Sequence, residues 1–135
     1  MTSLTHRTTA IATLMGFEAL TLAVISPLHL SGALGGGSKR FNPTAAGIAE
    51  AVICVALAAG ALALARRVRR AREIALGATA FAIIGFLMGL TFTLSGGDAI
   101  DVAYHVAVLP LLVLTFVALV RLDVHRISGG CSAAT

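Results

Sequence analysis

Charge is scarce in this chain: Asp, Glu, Lys and Arg make up 12% of its residues, about half the share typical of a soluble domain. Tryptophan is absent and tyrosine occurs once. So few polar groups cannot clothe a water-soluble globule. Cysteine occurs twice; Cys54 lies in an apolar run and Cys131 near the C-terminal end, so they are not expected to pair. Without a C-x-x-C there is no thiol pair for redox or metal chemistry. No nucleophile has a base at readable spacing, which argues against an enzyme acting alone.

What the chain has is hydrocarbon. Hydrophobic residues make up 58%, and they gather in four runs, at residues 8–30, 44–65, 73–94 and 100–122. Each run is about 22 residues, or ~33 Å as helix, enough to cross a hydrocarbon core of roughly 30 Å. The fold class expected is therefore all-α, an integral membrane four-helix bundle with antiparallel up-down spans. Residues 1–126 form one transmembrane domain, and ISGGCSAAT at 127–135 reads as a disordered cytoplasmic tail.

The placement of charge sets the orientation. Of ten Lys and Arg residues, all but Lys39 and Arg40 lie at Arg7, in the run Arg66, Arg67, Arg69, Arg70 and Arg72, or at Arg121 and Arg126. Basic loops stay cytoplasmic, so both termini are expected inside, with loops 31–43 and 95–99 outside. The RRVRRAR run is a topology signal with anionic lipid headgroups as its partners, not a nucleic-acid site. The first run is too long for the core of a signal peptide and carries Glu18, so it is expected to persist as a span. Arginine's dominance over lysine and the wealth of Ala, Gly, Val and Leu suggest a GC-rich bacterial gene, and hence a bacterial inner membrane.

Loop 31–43, SGALGGGSKRFNP, reads as a flexible spacer or as an outer flap carrying Lys39, Arg40 and Phe41. Asn42-Pro43-Thr44 supplies a cap and a proline to start the second helix. Small residues then dominate: Gly47 and AAGALALA at 58–65 in the second helix, Gly77, Gly85 and Gly89 in the third. Gly85 and Gly89 form a GxxxG. In lipid such residues let backbones approach and gain dispersion contact, either between the second and third helices or in a homodimer. Pro27 and Pro110 are expected to kink the first and fourth helices.

Each ionisable group in hydrocarbon costs a few kcal/mol and needs a partner or a wet cavity. The candidates for binding a ligand or protons are Glu18, Glu50, His105, His29 and Asp101. Counting from the outer ends of the spans, Glu50 lies ~9 Å deep and His105 ~8 Å, while Glu18 lies ~18 Å down, near the midplane. Asp98, Asp101 and His105 fall on one helix face, and Glu18 and His29 on another. Glu50 and His105, being level, are the expected pair, with Asp98 and Asp101 at the watery mouth and Tyr104 at the headgroups. Four chemistries remain open for this group: a structural ion pair, a divalent metal on His29, His105 and Glu50, haem on paired histidines, and a proton path toward Glu18. No polar residue continues that path below Glu18.

From Asn42 onward the order of features resembles the DoxX-like group of small four-helix bacterial membrane proteins. The matching features are NPTAAGIAE at 42–50, a basic turn, a third helix of small residues, Gly96-Gly97, and a last helix with a mid-span proline ending at Arg121. The first helix departs, lacking the glycine and lysine near its outer end. The resemblance implies a non-catalytic subunit or scaffold beside a quinone-linked or thiol redox complex, with a quinone-like ligand as one candidate cofactor. A small transporter moving protons or a divalent cation through Glu18, Glu50 and His105 is the competing class. The small multidrug transporters also have four helices and a glutamate in the first, but the aromatic residues that line their site are missing here.

Overall fold

Hydrocarbon offers no water to bond backbone amides and carbonyls, so an apolar run closes those bonds within itself as a helix. In the computed structural model, which describes residues 2–34 and 42–130, this happens four times. The helices are α1 (Thr2–Leu30), α2 (Pro43–Ala65), α3 (Ala71–Leu94) and α4 (Ala99–Gly130). Each holds a stretch long and apolar enough to cross a membrane: Thr5–Leu30, Pro43–Ala65, Ala71–Leu94 and Ala99–Leu122. The flap residues Lys39, Arg40 and Phe41, and residues 131–135 of the expected tail, lie outside the described residues.

The helices overrun the apolar runs at both chain ends because hydropathy marks a membrane edge, not a helix end. In the first turns of α1 the Thr9 and Thr13 hydroxyls donate to the carbonyls of Thr5 and Thr9, both at 3.0 Å, so polar residues join the helix by bonding back to it. Both helices also continue through Pro27 and Pro110. At the start of α2, Asn42 Oδ1 accepts from the Ala45 amide at 3.1 Å, and Pro43 takes the first helical position, as the sequence predicts. α2 ends with paired bonds from Arg67 N to Leu64 O and from Val68 N to Ala63 O, the Schellman pattern, with Arg67 at φ 53° where glycine is usual.

Consecutive helices pack on one another, and α4 closes the ring against α1. Contacts run late-to-early between neighbours: Ser26 meets Gly47, Ala19 meets Cys54, and Met15 lies against Gly60. The interior is filled by Met15, Leu22, Leu57, Phe86, Leu112 and Leu119, all almost fully buried. The outside is equally apolar, with Val55, Leu94, Ile100 and Leu114 each more than 60% exposed. Helices apolar all round, with their polar groups gathered inside, suit lipid and not water as the surrounding solvent.

Gly47, Gly85 and Gly89 sit at close approaches between helices. A Cβ at Gly47 would lie 2.8 Å from Leu30 Cγ and 2.9 Å from the Ser26 carbonyl, one at Gly85 would lie 2.5 Å from Ile53 Cδ1, and one at Gly89 would lie 2.6 Å from His105 Nε2. Gly77 is the exception: it faces open space, with nothing within 4 Å of its would-be Cβ. Gly60 is a further point of close approach, pressed against Met15 and the Ala75 backbone. Arg72 also departs from the lipid-facing reading. Its guanidinium donates to the carbonyls of Leu119 and Val120, at 3.0 and 3.3 Å, and ties the start of α3 to α4.

Candidate functional site

The site begins with a close approach of two backbones. Because Gly47 has no side chain, α1 and α2 come together where the Ser26 hydroxyl donates to the Gly47 carbonyl at 2.8 Å. About one turn further along each helix, His29 and Glu50 then meet, Nδ1 to Oε2, at 2.8 Å. His29 is 1% exposed and Glu50 5%, so this pair is inside the protein.

α4 supplies the other half. Asp98 caps the helix, its Oδ1 accepting from the Ile100 amide at 2.8 Å, so it belongs to the helix start and not to the site. Asp101, one turn on, points inward and is 1% exposed. Its Oδ2 lies 3.4 Å from His29 Nε2 and accepts from the Thr93 hydroxyl of α3 at 3.1 Å. Its Oδ1 lies 3.1 Å from His105 Nδ1. The result is a chain of four side chains, Glu50–His29–Asp101–His105, drawn from α2, α1 and α4.

The tautomer of His105 follows from its partners. Nδ1 faces the Asp101 backbone carbonyl at 3.0 Å and a carboxylate oxygen, both acceptors, so Nδ1 carries hydrogen. In the neutral ring Nε2 therefore presents a lone pair. Phe86 packs against the ring at a centroid distance of 5.0 Å, and Tyr104 meets it edge-on at 6.0 Å. Gly89 leaves the room that Nε2 occupies.

Both ends of the four-residue chain reach one cavity. A pocket of about 370 Å³ between α2, α3 and α4 has Glu50 and His105 in its wall, a volume at the lower end of small-molecule sites. Ile53, Gly85 and Phe86 make the rest of its interior apolar, and its rim includes the exposed residues Ala45, Ala49, Met88 and Phe92. It opens on the side of the bundle. Glu50 Oε1 is buried and has no hydrogen-bond partner among the described residues.

The expected pairing of Glu50 with His105 gives way to a different one. Glu50 bonds His29, and His105 bonds Asp101. Depth counting misled here because it placed Asp101 at the mouth, whereas Asp101 and His29 are each covered by neighbouring helices. Tyr104, expected at the headgroups, turns its hydroxyl to Thr21 of α1 at 3.0 Å. Glu18 stands apart from the cluster, with its Oε1 accepting from Thr115 at 2.8 Å. Ser26, Thr93 and Thr115 carry no periodic signal in the sequence. Buried hydroxyls in hydrocarbon are nonetheless expected to bond across helices.

His29, Glu50 and Asp101 each offer a ligand atom, all within 4.8 Å of one another. The trio expected as metal ligands, His29, His105 and Glu50, thus differs by one member, with Asp101 in place of His105. Comparisons of the chain with family models, curated proteins and solved structures give no match.

Proposed function

We propose that this chain is a non-catalytic subunit of a redox complex in the bacterial inner membrane, holding a quinol-like amphiphile in its side cavity. The carrying observation is that cavity: apolar, open on the lipid-facing side of the bundle, with Glu50 and His105 at its wall. Glu50 Oε1 is an acceptor, as is His105 Nε2 in the neutral ring, and two acceptors match the hydroxyls of a reduced ring better than the carbonyls of a quinone. A ligand of this kind enters from the bilayer, its ring against Phe86 and its tail passing Met88 and Phe92. No group in the wall is arranged to cleave or form a bond, and the partner enzyme supplies the electron chemistry.

The DoxX-like order of features supports the same accessory role. In this reading the late-to-early contacts are those of antiparallel spans, both termini are cytoplasmic, and the arginines at 66–70 meet anionic headgroups. The mass-action partner is a larger membrane complex or a second copy of the chain.

Binding of decylubiquinol to the purified full chain in mild detergent tests the proposal. Saturable binding is expected, with a higher melting temperature than decylubiquinone produces at equal concentration. Ala49→Leu, which narrows the mouth of the cavity at an exposed position, should abolish the difference. No saturable binding of either form to the wild-type chain overturns the proposal.

A second reading has one observation in its favour. Glu18 is 1% exposed, and its Oε2 has no hydrogen-bond partner among the described residues, as a proton-carrying group near the midplane would show. Proton flux into vesicles that vanishes in Glu18→Gln would favour a transporter over a scaffold.

A further inference from the structure

From the buried cluster we infer that His29, Glu50 and Asp101 form a binding site for a divalent transition-metal cation of the zinc class. The site shares Glu50 with the side cavity, and its test is run with no quinol present.

Three observations carry it. The first is the donor set, one imidazole nitrogen and two carboxylate oxygens within 4.8 Å of one another, which is the mixture borderline ions accept. His29 Nε2 and Asp101 Oδ2 are already 3.4 Å apart. Two ligands on a tetrahedral ion with bonds of about 2.0–2.1 Å stand roughly that far from each other.

The second is charge. Two carboxylates this close together in apolar surroundings are stabilised by two positive charges nearby. One divalent ion supplies both and leaves the imidazoles neutral, as a ligating histidine must be. Glu50 Oε1, buried and without a hydrogen-bond partner among the described residues, gains a ligand that the protein itself does not provide.

The third is the surrounding shell. Thr93 donates to Asp101 Oδ2 at 3.1 Å, while His105 Nδ1 bonds the Asp101 backbone carbonyl at 3.0 Å and lies 3.1 Å from Oδ1. These contacts orient the ligating carboxylate as outer groups do at metal sites. Glu50 is also a wall residue of the side cavity, which gives an ion a way in. The fourth position is left to water or to a ligand in that cavity.

The experiment uses the full chain in mild detergent, stripped with a chelator and then given zinc chloride or cobalt chloride alone. Expected are one equivalent of zinc retained after desalting, a raised melting temperature, and visible cobalt bands of the intense kind given by four-coordinate ions. Asp101→Asn and His29→Gln should lose the zinc. Thr93→Val, which removes only an orienting hydroxyl, should weaken it about 10- to 100-fold. Wild-type chain that retains no zinc and shows no cobalt bands overturns the site, as does zinc retained equally by Asp101→Asn. Because no quinol enters this test, its outcome is separate from that of the cavity proposal.

Discussion

Glu18 shows what a single buried carboxylate demands of its surroundings. Its one hydrogen-bonded oxygen depends on the Thr115 hydroxyl, and Thr115 is fully buried. Replacing Thr115 by valine removes the donor and keeps the shape, so it should cost about 1–3 kcal/mol of stability, the penalty for an unsatisfied buried acceptor. The double variant Glu18→Leu with Thr115→Val, apolar on both sides, should recover most of that loss. Denaturation curves in one detergent measure both, and a double variant no more stable than Thr115→Val alone would contradict this account. At this scale the sequence was informative about which side chains matter and silent about whom they meet. Glu18, His29, Glu50, Asp101 and His105 stand out because hydrocarbon penalises them. Their pairing depends on which turn of α1 faces Gly47, and residue spacing within a helix does not report that.

Helix packing separates glycines that look alike in the sequence. Gly60 is enclosed: a Cβ there would lie 2.6 Å from Met15 Cε and 3.2 Å from the Ala75 Cα. Methionine can yield but backbone cannot, so Gly60→Leu should destabilise the bundle by about 1–3 kcal/mol through overpacking. Gly77 is open, and alanine there should be neutral or stabilise by up to about 1 kcal/mol from helix propensity. Paired melting curves test the contrast. If Gly77→Leu leaves the monomer folded yet halves the particle mass, that exposed position is a dimer contact. The number of helices and their approximate spans were legible, because a membrane-length apolar run has few alternatives. The GxxxG was legible too, but its two glycines serve different neighbours, Ile53 of α2 for Gly85 and His105 of α4 for Gly89. A motif of spacing carries no information about the partner.

Orientation is a property of the whole molecule and follows from its charge asymmetry. The connection between α2 and α3 carries Arg66, Arg67, Arg69 and Arg70, and translocating that many cations is unfavourable. A reporter fused at residue 69 should be active only if it requires the cytoplasm. Activity of a reporter that requires the outer side would overturn the topology. The polar cluster lies at the opposite end of the bundle, where α1 and α3 finish and α2 and α4 begin. Its position there was foreseen from depth along the helices. Its enclosure was not, because that depends on three helices covering one another's end residues.

The bonds within that cluster divide between the two helical hairpins. His29 and Glu50 are bonded within the α1–α2 hairpin, while Asp101 is bonded by Thr93 and His105 within the α3–α4 hairpin. Each hairpin therefore holds part of the cluster's bonds within itself, whereas Glu18 of α1 is bonded only across the seam, by Thr115 of α4. What remains for the joining of the two halves is the His29–Asp101 contact, with Tyr104 to Thr21 and Thr115 to Glu18, all between α1 and α4. The α1–α4 seam, which is the least extensive of the four helix contacts, is thus the one across which the site is completed.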